Sequence, residues 1–482
     1  MLQLDYAQKE AIGLTFILDR LIPDSPYGTE ARKQIAPFGK ERRAAIDECF
    51  DNMEKIMTFA AQEKVALAEI RRQLMQLKNI RGIIKKCEQA ALHEVELFEV
   101  KSFLLTFERL FNLLQVANEK LNLAGIHFQS MKAALDILDP EGKRIAPFSI
   151  DEIHDPALGE IRRQKLRIER KLETEVAMKE RSRLVAEETA AEMRIMKMLS
   201  EKLRAYVQIF EANMDQIGKL DLIITKALLA LEYGATRPKI SASPTVTLRD
   251  MANPYIEDAL TTRGEHLTRT SITLTDGVTM ITGANMGGKS VAIKTMVLNV
   301  LLCQMGFFVF AGGAEIPLFD GVTLISGDLQ DISQGLSTFG AEIMRFHEIV
   351  ESLKTDFVFV ALDEFARGTN PEEGAAIVRA VASYLAETSA ISVMTTHYDR
   401  VVSPKFKHYQ VVGLKFADID QIRKQGKADI KNIAKYMDYT LVPADKKTSP
   451  PRDALNICKL IELDADVLAR IEAEYQNNLK HQ

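Results

Sequence analysis

The stretch GVTMITGANMGGKSVAIKTMVLNVLL, residues 277–302, decides how this chain reads. GVTMIT has the composition of a buried strand, and SVAIKTMVLNVLL has that of a helix. Between them the pattern G-x-x-x-x-G-K-S is met by Gly283, Gly288, Lys289 and Ser290. Glycines let the backbone wrap a phosphate closely with its N–H groups turned inward. The following helix N-terminus adds partial positive charge. In such a loop the lysine spans the β- and γ-phosphates and the serine hydroxyl binds Mg²⁺. The expected bound groups are therefore ATP and Mg²⁺.

Three further stretches point to the same chemistry. DFVFVALDEFARGT, residues 356–369, is an apolar strand that ends in Asp363 and Glu364. Ligands of open α/β sheets gather at the carboxyl ends of strands. There Asp363 can organise Mg²⁺, and Glu364 can orient or deprotonate the attacking water. ISVMTTHYD puts His397 just past another apolar strand, where its ring can donate to the γ-phosphate. DISQGLSTFGAEI, residues 331–343, places small hydroxyl residues before a helical run, a second helix N-terminus with donors aimed outward. In a head-to-tail dimer it could cap the partner's γ-phosphate.

Outside these motifs the chain falls into two parts. Residues 1–240 read as helical almost throughout, with apolar residues such as Leu203, Val207, Phe210, Met214 and Ile217 at three and four spacings. Breaks fall at LIPDSPYGTE, LDPEGKRIAPFS and YGATRPKISASPT, and the last marks the expected domain boundary. Residues 160–202 are very charged with both signs interspersed. A solvated helical hairpin or coiled-coil arm is favoured there over a nucleic-acid grip, because acids balance bases. From 241 to 482 short β-rich runs (SITLT, VTMIT, VTLIS, FVFVAL, ISVMTT, YQVVGLKF) alternate with helices, an α/β pattern. The end reads as helix, turn, helix.

Bulk composition adds limits. Hydrophobic content of 46% supports real cores, and a net charge of −5 is unlike a strongly basic nucleic-acid binder. The opening MLQLDYAQKEAIG has no basic start before an apolar run, and no apolar run is long enough to span a bilayer. Cys49, Cys87, Cys303 and Cys458 lie far apart and read as small buried hydrophobes, which fits a reducing cytoplasm.

The order phosphate loop, Ser-Thr motif, acid pair, histidine resembles that of ABC-type ATPases, and the strings resemble the MutS family in particular. Its pattern T-G-P-N-M-G-G-K-S-T, S-T-F, D-E-x-G-R-G-T, A-T-H-Y stands here as TGANMGGKSV, STF, DEFARGT and TTHY. Ala284, Val291 and Ala366 depart from it without removing a group the reaction needs. RDMANPYIED is similar to the family's nucleotide-side segment, which implies Pro254 and Tyr255 near the adenine.

The resemblance implies an all-helical core and lever domain followed by a MutS-type P-loop ATPase domain with a C-terminal helical dimerisation segment. It implies an ATP-binding segment of Gly283, Ala284, Asn285, Met286, Gly287, Gly288, Lys289, Ser290 and Val291. Ser290 and Asp363 would serve the metal, and Glu364, His397 and Lys289 the chemistry. Ser337 would act in trans on a partner's ATP, with Thr338 and Asn370 near the seam of a homodimer or of a heterodimer with a related subunit.

Mismatch-reading members of the family carry an N-terminal module with a Phe-x-Glu wedge, a connector and a clamp, none of which is evident here. LFEVKSF lacks the wedge spacing, and the charged arm has too few residues for a clamp. Two roles follow. The first is an ATP-driven remodelling or reactivating factor for a protein client. Its candidate client is an adenosylcobalamin-dependent aminomutase, because short clamp-less MutS-like proteins resemble the reactivating subunits of such enzymes. The second is a MutS homologue that binds mismatched or otherwise structured DNA in repair or recombination.

Overall fold

The computed structural model describes residues 4–480 except 90, 146, 151, 170–174, 284–287, 328–337, 399–400, 415–436, 445–454, 456–457 and 459–462. Helices come first: α1 (Tyr6–Ala11), α2 (Leu14–Arg20), α3 (Pro26–Lys33), α4 (Arg43–Gln62), α5 (Lys64–Gln76), α6 (Arg81–Gln89), α7 (Glu94–Leu121), α8 (Lys132–Leu138), α9 (Pro156–Glu169), α10 (Glu175–Arg204) and α11 (Val207–Tyr233). A mixed α/β region follows. Its strands are β1 (Lys239–Ile240), β2 (Thr245–Met251), β3 (Thr270–Thr275), β4 (Gly277–Thr282), β5 (Gly313–Ile316), β6 (Gly321–Ser326), β7 (Val358–Asp363), β8 (Ile391–Thr395), β9 (Lys407–Leu414) and β10 (Met437–Pro443). Its helices are α12 (Pro254–Thr261), α13 (Lys289–Gln304), α14 (Thr338–Ser352), α15 (Pro371–Ala386) and α16 (Ala465–Lys480). Among the described residues no helix is long and apolar enough to cross a membrane.

The chain divides into two compact units that do not follow chain order. A helical unit holds Leu21–Ile35 and Asp51–Leu228, and a sheet unit holds Met1–Arg20, Ala36–Phe50 and Leu229–Gln482. The division therefore differs from a single change near 240. The reason lies in buried contacts of the first helices. Ile12, Leu14 and Ile17 are buried, Gln8 donates through Nε2 to the Leu324 carbonyl of β6 at 2.6 Å, and Asn253 donates to the Ile12 carbonyl at 3.0 Å.

In the helical unit an aromatic cluster forms the core: Phe103 of α7 packs on Tyr27, Phe107 and Phe210 with ring centroids 6.1 Å apart in each case. Asp221 of α11 fixes the start of α3. It is buried, and it accepts the Asp24 and Ser25 N–H groups at 3.0 and 2.7 Å and the Ser25 hydroxyl at 2.6 Å. Burial pushes its carboxyl above the usual aspartate range, against those hydrogen bonds. The charged stretch is an antiparallel helical pair: Arg162 meets Glu188 and Glu192 at 2.9 and 2.8 Å, while the later Glu169 meets the earlier Arg181 at 3.1 Å. Its alternating signs are thus spent on each other.

The sheet unit holds two sheets. Four strands run in the order β1-β5-β2-β3, and six in the order β10-β9-β4-β8-β7-β6. In the larger sheet β9, β4, β8, β7 and β6 are mutually parallel, and β10 closes the edge antiparallel to β9. Parallel strands covered on both faces read as unbroken apolar runs. Accordingly every residue of β6, β7 and β8 is buried. The six β-rich runs named above fall on β3, β4, β6, β7, β8 and β9. Strands β1, β2, β5 and β10 lie outside those runs. Of the cysteines, Cys87 and Cys303 are buried, whereas Cys49 and Cys458 are half-buried.

Candidate functional site

The parallel order of the larger sheet brings the ends of β4, β8, β7 and β6 side by side. Gly283 follows β4, and α13 begins at Lys289. The flanking glycines are needed for backbone reasons. Gly283 has φ 141° and Gly288 has φ 76°, conformations that L side chains rarely adopt. A Cβ on Gly288 would also stand 3.0 Å from the Tyr439 ring. Ala284, Asn285, Met286 and Gly287 lie outside the described residues.

Lys289 is 3% exposed. Its Nζ donates to the Gly283 carbonyl at 2.7 Å and lies 3.9 Å from the Glu364 carboxylate. Burial pulls its pKa down, while Glu364 and Asp363 pull it up. A buried ammonium held at a helix N-terminus, beside glycines in left-handed conformations, favours an anionic ligand.

Asp363, at the end of β7, gathers hydroxyls from three neighbouring elements. Thr395 of β8 donates to its Oδ1 at 2.6 Å, Ser290 of α13 to the same oxygen at 3.1 Å, and Ser326 of β6 to Oδ2 at 3.5 Å. The carboxyl is 3% exposed. Burial pushes its pKa up, and the Thr395 and Ser290 hydroxyls and the Lys294 charge oppose that rise. Thr395 also accepts the Glu364 N–H at 2.8 Å, so one hydroxyl holds both acids. Glu364 sits at φ 50°, and its Oε2 accepts Arg367 at 2.7 Å.

A cavity of about 620 Å³ opens on this cluster. Gly288, Lys289, Ser290 and Glu364 line its polar end, and Ile256, Leu260 and Met437 supply apolar wall. Its volume and its division into polar and apolar parts suit a nucleoside polyphosphate. The Ser290 and Asp363 oxygens fit Mg²⁺, which takes one or two protein oxygens and completes its shell with phosphates and waters. Among the described residues no group of three or more His, Cys, Asp or Glu forms a self-sufficient metal cage.

Pro254 and Tyr255, expected near the adenine, lie outside the lining of this cavity. Ile256 and Leu260 line the cavity. They stand four residues apart, on one face of α12. Pro254 is buried, and Tyr255 turns away to pack on Phe16 with ring centroids 5.6 Å apart. His397, just past β8, is exposed, and its ring centroid lies 4.4 Å from that of Tyr398. Asn370 caps α15 by accepting the Glu372 N–H at 3.0 Å. Thr338 opens α14, and Ser337 lies outside the described residues. Val291 lines the cavity beside Ser290.

Sequence reasoning assigned no role to Thr395, Ser326, Arg367 or Tyr439. Thr395 and Arg367 stand inside quoted motifs, so a hydroxyl or a cation next to the named acids was the available signal. Ser326 and Tyr439 are tied to the site only by strand order, which no local pattern reveals.

Residues 279–470 match the family described as MutS domain V. A protein named Endonuclease MutS2 from Caldicellulosiruptor bescii is 38% identical over 207 residues, which cover 42% of this chain and 26% of that protein. One from Lacticaseibacillus casei is 37% identical over 225 residues, 46% of this chain and 27% of that protein. One from Pediococcus pentosaceus is 30% identical over 291 residues, 59% of this chain and 34% of that protein. The matched segment thus spans roughly a quarter to a third of these relatives' length. Residues 279–470 are thus similar to MutS domain V, and the similarity to the MutS2-named proteins extends over 42–59% of this chain.

Proposed function

We propose that this chain is a Mg²⁺-dependent ATPase that works as a conformational switch in a head-to-tail dimer. The observation that carries the reading is the continuous polar chain Ser290–Asp363–Thr395–Glu364, whose ends Ser290 and Glu364 line one cavity with the buried Lys289 ammonium. Bound Mg²⁺-ATP supplies the phosphoric anhydride that is cleaved and the charge that Lys289 and Ser290 meet. Gly283, Gly288 and Lys289 would bind and orient the phosphates. Ser290 and Asp363 would hold the metal, and Glu364 would orient the attacking water. His397 would donate to the γ-phosphate, which the place of β8 between β4 and β7 supports. Ser337 would complete the partner's site, with Thr338 and Asn370 near the seam.

Replacing Glu364 with Gln removes the water-orienting carboxylate and keeps the shape. Glu364→Gln is expected to bind ATP at parent affinity, lose hydrolysis at least ~100-fold and accumulate as a closed dimer by light scattering. Hydrolysis at the parent rate would remove Glu364 from this role. Mixing Ser337→Ala with Lys289→Ala protomers tests the trans arrangement: one intact composite site at most is expected per mixed dimer. Full activity of each protomer alone would refute it.

For the client, the relatives' name favours a DNA structure, because an endonuclease cleaves nucleic acid. The aminomutase client draws no support from the comparisons. ATPase rates at stated salt, with branched DNA, mismatched DNA or a cobalamin-dependent aminomutase, separate the two. Stimulation by the enzyme alone would overturn the DNA reading.

A further inference from the structure

One buried carboxyl of the sheet unit is used by none of the roles above. Glu342, in the second turn of α14, is 4% exposed. Its Oε2 accepts the Ala366 N–H at 2.9 Å, while among the described residues the buried Oε1 has no hydrogen-bond partner. Burial pushes its carboxyl up, with only that N–H in opposition. A half-satisfied buried carboxyl costs stability compared with an apolar side chain of similar volume. Packing alone gives no reason for it.

Its partner peptide supplies a reason. Ala366 has φ 61°, and Glu364, two residues earlier, has φ 50°. Left-handed conformations cost a non-glycine residue roughly 1–2 kcal/mol each and persist only where the surroundings over-determine them. Glu342 holds the Ala366 N–H from α14. Tyr398, beside His397, donates its hydroxyl to the Ala366 carbonyl at 2.8 Å from the opposite side. The same Tyr398 hydroxyl lies where a Cβ on Gly374 would come within 2.3 Å, so Gly374 leaves the room for it. The two peptides that flank the strained Ala366 are thus each held by a side chain, one by Glu342 and one by Tyr398, two residues after the acid assigned to water.

We propose that Glu342 is a positioning residue for hydrolysis: by holding the Ala366 peptide it sets the turn that aims the Glu364 carboxylate, and so ties the seating of α14 to the rate. Because α14 starts directly after Ser337, this gives a partner's nucleotide a route to the water-orienting acid of the opposite site. The inference rests on the reading of Glu364 given above.

The experiment measures steady-state ATPase and, separately, nucleotide affinity by calorimetry. The full chain is used, with Glu342→Ala, Glu342→Gln, Tyr398→Phe, Glu364→Gln and the double variant Glu342→Ala/Glu364→Gln. Glu342→Ala is expected to lower kcat about 10- to 100-fold at unchanged ATP affinity. Glu342→Gln keeps a carbonyl oxygen for the Ala366 N–H and recovers most of that loss. The double variant is expected to be no slower than Glu364→Gln, as holds for residues that act as a unit.

If Glu364→Gln is inactive while Glu342→Ala turns over at the parent rate, this inference falls and the site reading stands. If Glu364→Gln is fully active, both fall. A kcat loss matched by an equal loss of ATP affinity also overturns the inference, as that marks general damage. Should Glu342→Ala not fold, Tyr398→Phe decides: a kcat loss of fivefold or more at parent affinity supports the clamp, and the parent rate refutes it.

Discussion

Thr395→Val is the sharpest perturbation of the site, because it changes shape little and deletes one hydroxyl that serves two acids. That hydroxyl donates to Asp363 at 2.6 Å and accepts the Glu364 N–H at 2.8 Å, and Thr395 is 1% exposed. A hydrogen bond to a charged group contributes roughly 1.5–3 kcal/mol, and orphaning a buried backbone N–H costs roughly 1–3 kcal/mol. The added methyl returns about 0.8 kcal/mol of apolar burial. The net expected loss is about 3 kcal/mol in unfolding of the sheet unit. Deleting the donor also removes the largest influence that opposes desolvation of Asp363, so its pKa rises further. Urea unfolding followed by circular dichroism, with Thr395→Ser as the control, measures this. Serine keeps the hydroxyl and gives up a methyl, a loss of about 1 kcal/mol. If valine is within 0.5 kcal/mol of the parent, or serine is the worse of the two, the hydroxyl relay is not what holds the acid pair.

Two further outcomes follow from other positions. Gly288→Ala places a Cβ at φ 76° and 3.0 Å from Tyr439, so ATP affinity should fall ~5- to 30-fold, as expected for strain of roughly 1–2 kcal/mol. Adding Tyr439→Ala should restore only part of it, and calorimetric titration reads both. Asp221 has a raised folded-state pKa, so the folded helical unit binds its proton more tightly than the unfolded chain does. Its contribution is full below the unfolded value near 3.8 and is lost as pH rises through the raised pKa. The stability gap between the parent and Asp221→Asn, from urea melts at pH 4 and pH 7, should therefore narrow with rising pH. A gap that widens would reverse the sign.

What was legible in the sequence follows from how local each signal is. Strands β4, β6, β7 and β8 are buried on both faces, so their apolar runs are continuous and stand out. Strand β2 is only half buried, with a polar Arg249-Asp250 step and a register shift before Met251, and β1 has two residues. Neither leaves a periodic trace. The acids and the lysine could be named because each ends an element within one motif. The hydroxyls of Ser326 and Thr395 become ligands of Asp363 only once strand order is known. Tyr255 lies off the cavity for a similar reason: the motif gives the helix, and only the helix's rotation puts Ile256 and Leu260 on the cavity.

The early helices carry a consequence for how the protein is made. Gln8 bonds to Leu324 across a separation of 316 residues, and the sheet unit draws on Met1–Arg20 and Ala36–Phe50 as well as on residues from Leu229 onward. During synthesis Leu21–Ile35 and Asp51–Leu228 are complete long before the larger sheet exists, whereas Met1–Arg20 must wait for it. Apolar surface at Ile12, Leu14 and Ile17 stays without its burial partners through most of translation. The Met1–Arg20 segment is therefore one whose apolar face must be shielded from aggregation until the larger sheet has formed.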